Sequence, residues 1–198
     1  RFNPSIEPVL HENGPREVLS RTGLNLDLWY PPYRYIYGAL QFTRAYRRER
    51  EQWRQALDRV RERYPLVLHG VGLNLLGQAP LDSAYLDKLC WLADYVDAPF
   101  VTDHLCWTGA HGVSHHDLLP TPYVSDLIGV AAERAAAVQR QLGRPFGLEN
   151  LSSYVEFRDS TMPEWDFYTA VVREAGCWFM LDVNNIYVSS QNHGFSPQ

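Results

Sequence analysis

From residue 51 onward the chain alternates between helix-patterned stretches and short apolar runs, and each run closes on polar residues that a buried strand has no packing reason to carry. Glu51–Tyr64 (EQWRQALDRVRERY) places Trp53, Leu57, Val60 and Tyr64 at three- and four-residue spacing. That spacing predicts an amphipathic helix, stopped by Pro65 ahead of a strand over Leu66–His69. Leu81–Val96 predicts a helix started by Asp82 or Ser83, Pro99–Asp103 a strand, and Pro122–Leu142 a long helix closed by Gly143. Phe146–Glu149 reads as the next strand and Glu164–Ala175 as a helix ended by Gly176. Cys177–Asp182 (CWFMLD) reads as an apolar strand of the kind buried on both faces. Four strand-helix units in succession predict an α/β fold with a parallel sheet.

Where the polar residues fall chooses among parallel sheets. TIM-type barrels place their chemistry at the carboxyl ends of several strands, and all four strands here end that way. The competitor is a doubly wound nucleotide-binding sheet, but no GxGxxG follows an early strand and no GxxxxGKS or GxxxxGKT occurs. The expectation is a single barrel domain over 1–198, partial in this chain, with the four units in 51–198. Residues 1–50 fit that scheme poorly: they hold Pro4, Pro8, Pro15, Pro31 and Pro32. Asn25–Tyr30 alternates like a strand, and Gly38–Glu51 has helical character continuous with the next helix. The cluster Arg44, Arg47, Arg48 and Arg50 reads as a solvated helix face, with a peptide or phosphate contact as the alternative.

A formal net charge of -5, with no chain-wide interleaving of basic and aromatic residues, argues against nucleic acid as a partner. Cys90, Cys106 and Cys177 are odd in number and form no CxxC pair, so neither a disulfide framework nor a thiolate zinc site is expected, and a reducing cytoplasm fits. No run approaches the roughly 20 apolar residues that span a bilayer, and no basic-then-apolar signal opens the chain. Arg1 in place of a methionine predicts that the chain continues a longer product.

The strand ends read LHG, TDHLCW, LEN and LDVNN, followed by SSQNHGF. They supply His69, His104, Glu149, Asp182 and His193, all metal-ligand types, in a mixture that suits iron, manganese or zinc and favours octahedral first-row ions. A lone strand histidine is ordinarily a hydrogen-bonded core residue. Recurrence changes that reading, because burying several ionisable groups at one end of a barrel costs several kcal/mol per charge unless a cation offsets it. Glu149, as a carboxylate, can bridge two ions. Asp103 precedes His104, so it points to the opposite strand face as a supporting or helix-contact carboxylate. Cys106 shares the parity of His104, although a packed free thiol is its ordinary fate. His111, His115 and His116 fall in an apparent loop, GAHGVSHHDLLP, from which His116 and Asp117 are candidates to reach the site. Asn150, Asn184 and Asn185 are candidates to orient ligands or substrate, or to cap the turns after the strands. Ser152 and Ser153 follow Glu149 without a GxSxG elbow, which argues against a serine hydrolase.

Taken together, HGVGLNL, VTDHLCWTG, HDLLPTPY, GLENLSSY and LDVNNIYVSSQNHGF, collinear from about Tyr64 to Phe195, resemble the multinuclear non-heme iron-dependent oxidative enzymes. The resemblance implies a TIM-type barrel of the xylose-isomerase-like kind. It also implies two or three iron ions held by His69, His104, Glu149, Asp182 and His193, with Glu149 as the bridge. By the same likeness the substrate is a cysteine-containing, ribosomally made precursor peptide, oxidised with dioxygen and presented in many cases by a small partner protein. Family barrels carry two further ligand-bearing strands after the NHGF motif, so the resemblance also implies a barrel incomplete within this chain. Two other readings compete: another metal-dependent barrel chemistry, such as sugar isomerisation or phosphodiester hydrolysis, and a non-catalytic relative that binds a peptide or partner protein.

Overall fold

A computed structural model of the chain describes residues 44–110 and 113–197, which fall to either side of a division between Leu66 and Val67. The expectations for residues 1–43 and for His111 lie outside the described residues.

On the amino-terminal side of the division, α1 spans Arg44–Arg61, starting before Glu51 and stopping short of the expected Tyr64. Its end tightens where the Arg63 N–H turns to the Val60 carbonyl, and Pro65 disfavours helical backbone at the residue before it. Of the four predicted apolar positions Leu57 and Val60 are buried, joined by Ala56, while Trp53 is half-buried and Tyr64, beyond the helix, is exposed.

On the other side, four parallel strands are ordered β1 (Leu68–Gly70), β2 (Val101–His104), β5 (Phe146–Glu149) and β6 (Trp178–Met180). The connecting helices are α2 (Ser83–Tyr95), α3 (Ser125–Leu142) and α4 (Glu164–Ala175). The two inner strands are buried throughout, and with Phe167, Tyr168 and Val171 of α4 and Ala131, Ala135 and Val138 of α3 they make the core. Asp82 caps α2, its carboxylate accepting from the Tyr85 N–H, as the sequence suggests. Gly176 ends α4 with φ +64, a left-handed conformation open to glycine without a Cβ penalty.

Several boundaries differ from the sequence expectation. β1 and β2 each begin two residues late, which brings Gly70 and His104 into the ladder; Pro65 and Pro99 ahead of them have no N–H to donate. α3 begins at Ser125 rather than Pro122, because the Tyr123 carbonyl is taken by the N–H groups of Thr161 and Met162 and is lost to the helix. β6 is not buried on both faces: Trp178, Phe179 and Met180 are all exposed, since β6 is the last strand in the sheet order and pairs among the described residues only with β5.

Two elements were not expected. The stretch read as a loop forms an antiparallel hairpin of β3 (Trp107–Ala110) and β4 (Val113–Leu119). Asn74, at φ +53, fastens it to the β1–α2 connection, accepting from the Thr108 N–H at 2.7 Å and donating to the Gly109 carbonyl at 3.3 Å. The segment after β6 is a helix, α5 (Val183–His193), capped by Asp182 and closed by Gly194. None of the described helices is long and apolar enough to cross a membrane.

Candidate metal centre

Parallel register carries three side chains to one end of the sheet. His69 is paired in register with Thr102, and His104 with Glu149, so β1, β2 and β5 deliver their ends side by side. Potential ligand atoms of His69, His104 and Glu149 lie within 4.8 Å of one another. The two imidazole Nε2 atoms are 3.0 Å apart, and Glu149 Oε2 stands 3.0 Å from the His69 nitrogen and 3.4 Å from the His104 nitrogen. The His69 side chain is 35% exposed against 5% for Glu149, so the group is open on the β1 side and closed beneath.

Burial and charge prepare these groups differently. Burial, reinforced by the neighbouring His69, pushes the His104 imidazole down to about 3, so it is neutral near pH 7 and has a lone pair to offer. Burial also opposes a charge on His69, but the Glu149 carboxylate, supported by Asp103 and Asp182, outweighs it and raises that imidazole above its ordinary value. His69 Nδ1 is 2.8 Å from the Thr102 hydroxyl, an arrangement that leaves Nε2 facing the carboxylate. Glu149 Oε2 and His104 Nδ1 are buried and lack an aligned hydrogen-bond partner. A buried carboxylate oxygen without an aligned donor, facing two imidazole nitrogens at 3.0 and 3.4 Å, fits a cation, whose coordination uses the crowded lone pairs. Two histidines and a carboxylate with room on one side leave coordination positions open to further ligands.

The remaining candidates lie as follows. Asp182 caps α5, its Oδ1 2.9 Å from the Asn185 N–H, and its charge is felt by both His69 and His104, although it is not one of the three clustered residues. His193 occupies the last turn of α5, with Nε2 2.9 Å from both the hydroxyl and the carbonyl of Ser153 and Nδ1 3.3 Å from Glu156. Asp103 is fully buried and accepts the N–H groups of His104 and Leu73, at 2.7 and 3.3 Å; burial pushes it up to about 7 against that bonding. A Cβ on Gly70 would come within 2.4 Å of Asp103 Oδ2, so the close approach of β1 to this carboxyl needs glycine. Asn150 exchanges two bonds with the backbone of Asp182, at 2.8 and 3.0 Å. Asn185 donates through Nδ2 to Glu149 Oε1 at 3.2 Å and to the Asn150 carbonyl at 2.9 Å, whereas Asn184 is exposed. Asp117 is exposed on β4 and accepts from the Tyr154 hydroxyl; His116 is on the same strand, its side chain outside the described residues. Cys106 is a buried thiol, its ionisation pushed well up by burial.

Sequence reasoning missed Thr102. The signal was present, since Thr102 lies two residues before His104 and therefore on the same strand face. The bonding of His193 to Ser153 and Glu156 had no such signal, because it depends on where α5 lies.

The fold and the cluster define a class: a parallel α/β protein with two imidazoles and a carboxylate gathered at the carboxyl ends of adjacent strands, a donor set suited to a metal ion. The chain belongs to the family described as "RiPP precursor modification enzyme MbnB/TglH/ChrH", which matches residues 42–198, so the resemblance to the multinuclear non-heme iron-dependent oxidative enzymes holds. Similar proteins include a UPF0276 protein of Rhizorhabdus wittichii, 50% identical over 145 residues covering 73% of this chain and 52% of the relative. A UPF0276 protein of Caulobacter vibrioides is 48% identical over 71% of this chain and 50% of its own length, and one of Acaryochloris marina is 43% identical over 71% and 51%. The chain thus spans about half the length of these curated relatives.

Proposed function

We propose that this chain carries the iron-binding part of a TIM-type barrel oxidase that modifies cysteine residues of a ribosomally made precursor peptide with dioxygen. The observation that carries the reading is the convergence of His69, His104 and Glu149, with the bare Glu149 Oε2 at its centre, in a chain whose family modifies such peptides.

In this reading His69, His104 and Glu149 would hold an ion, with Asp182 as a further carboxylate whose charge both histidines feel. Iron would supply the redox capacity and a soft-ligand position for a substrate thiolate. The protein's own contribution is orientation and proton control. Thr102 fixes the His69 ring, burial keeps His104 neutral, and the carboxylate sits in a dry floor where its charge is little screened. The opening beside His69 is the side from which a peptide cysteine would approach. For His193 to join as a ligand, its Nε2 must leave Ser153. A presenting partner protein belongs to the same proposal, as does a reducing cytoplasm in which Cys90, Cys106 and Cys177 remain thiols, as they are here.

The test is elemental analysis of anaerobically purified or reconstituted protein, paired with Mössbauer or EPR spectroscopy. Two or more magnetically coupled irons per chain are expected, with His69→Ala and Glu149→Ala each lowering metal content sharply. Unchanged stoichiometry in both variants, or a preference for zinc or magnesium with no uptake of iron, sinks the reading.

A further inference from the structure

We infer that Asn185 is the positioning residue that holds the Glu149 carboxylate with Oε2 turned to the two histidines; this rests on the metal reading above. The argument starts from the α5 entry. Asn150 clamps the backbone of Asp182 through both ends of its amide, and Asp182 Oδ1 accepts the Asn185 N–H, so the first turn of α5 is fixed against the end of β5. In that turn the Asn185 side-chain amide meets two acceptors, the Asn150 carbonyl at 2.9 Å and Glu149 Oε1 at 3.2 Å. Two acceptors require the nitrogen at that position, which settles the amide orientation chemically. One amide hydrogen is anchored on backbone and the other is committed to the carboxylate.

The two oxygens of Glu149 are therefore inequivalent. Oε1 is engaged by Asn185, while Oε2 is turned toward both histidines and is buried without an aligned donor. While the amide bond persists, the plane of the Glu149 carboxylate is fixed with Oε2 toward the histidines. Oε1 keeps a second lone pair, but the amide resists the rotation that would turn both oxygens onto one ion. Outer-sphere partners of this kind ordinarily set ligand geometry, and losing one costs about 10- to 100-fold in metal affinity.

The experiment is a titration of the 198-residue chain with Co(II), followed by visible d–d absorption and by the infrared splitting of the carboxylate stretches. Wild type, His69→Ala, Asn185→Leu and Asn185→Ala are compared, with far-UV circular dichroism and Tm reporting the fold. The expected result is at least a tenfold loss of Co(II) affinity in both Asn185 variants, with a narrower carboxylate splitting as Glu149 becomes a two-oxygen ligand. A residue that only anchors α5 would lower Tm and leave affinity and splitting of the folded protein as in wild type, and that result overturns the proposal. Wild-type Co(II) binding that is absent, or indifferent to His69→Ala, overturns the metal reading and this inference with it. Should neither variant fold, 1H–15N spectra of wild type decide. The Asn185 side-chain amide protons should resist solvent exchange and shift on adding Zn(II); rapid exchange with no shift overturns the assignment.

Discussion

At the scale of single residues, the site is a set of hydrogen-bond assignments that leave certain atoms deliberately unpaired. Thr102 illustrates the consequence. Thr102→Val keeps the side-chain shape but removes the oxygen facing His69 Nδ1, freeing the ring to turn. Metal affinity, read by Co(II) titration, should weaken by about tenfold with little change in Tm. Glu164 gives a prediction away from the cluster. It stands at the start of α4, takes hydrogen bonds from the Tyr123 hydroxyl and the Leu151 N–H, and has a buried Oε1 without a partner. Burial raises its pKa from 4.5 to about 7 despite those bonds. Between these values the native state keeps a proton that the unfolded chain has already released, so stability falls as pH rises through that window. Glu164→Gln removes this dependence. Its stability relative to wild type should grow by up to about 3 kcal/mol between pH 4.5 and 8, measured by urea unfolding. A constant difference across that range refutes the assignment. Residue types at this scale were legible in the sequence: His69, His104 and Glu149 were named from strand ends alone. Their partners were less so, because which oxygen of Glu149 is bonded depends on a helix whose position no local pattern encodes.

At the scale of elements, legibility tracked periodicity. α2, α4 and β5 were read almost to the residue, because Asp82, Gly176 and the FGLE run mark their bounds by local chemistry. The β3–β4 hairpin was hidden because its second strand, VSHHDLL, is polar and its register slips between Trp107 and Gly109, so simple alternation fails. It is held by tertiary bonds instead: Asn74 at one end, and the Trp107 indole donating to the Pro120 carbonyl at 2.7 Å at the other. α5 was hidden for a related reason. VNNIYVSSQNH is rich in β-branched, Asn and Ser residues with weak helix propensity, and the helix exists because Asp182 caps it and Ser189 and Asn185 bond it to the segment after β5. The β1–β2 contact supplies the test at this scale. Gly70→Ala drives a methyl group into the Asp103 carboxyl, which is buried and bonded to three backbone N–H groups and so has little room to yield. A loss of about 2 kcal/mol or more is expected in chemical denaturation; a neutral result would show that the strand shifts freely.

At the scale of the whole chain, the parallel α/β class was legible from the order of units, and the end of the sheet bearing the three clustered side chains followed from where the polar residues fell. Exposure of β6 was not. CWFMLD has the composition of a core strand, yet Trp178, Phe179, Met180 and Leu181 are exposed, and composition does not say which strand stands last. Apolar side chains beside a strand edge that has no partner among the described residues promote association. The 198-residue chain should self-associate with rising concentration in sedimentation velocity, and Trp178→Lys should return it toward monomer. A wild-type chain that stays monomeric throughout would contradict this.

The three clustered side chains come from strands separated by whole helices and a hairpin, and no two of them are close in sequence. An ion shared among them would act as a reversible crosslink, closing long loops that an unfolded chain would have to keep closed to retain it. Occupancy and foldedness would then become one linked equilibrium: metal supply would set how much of the chain persists against proteolysis.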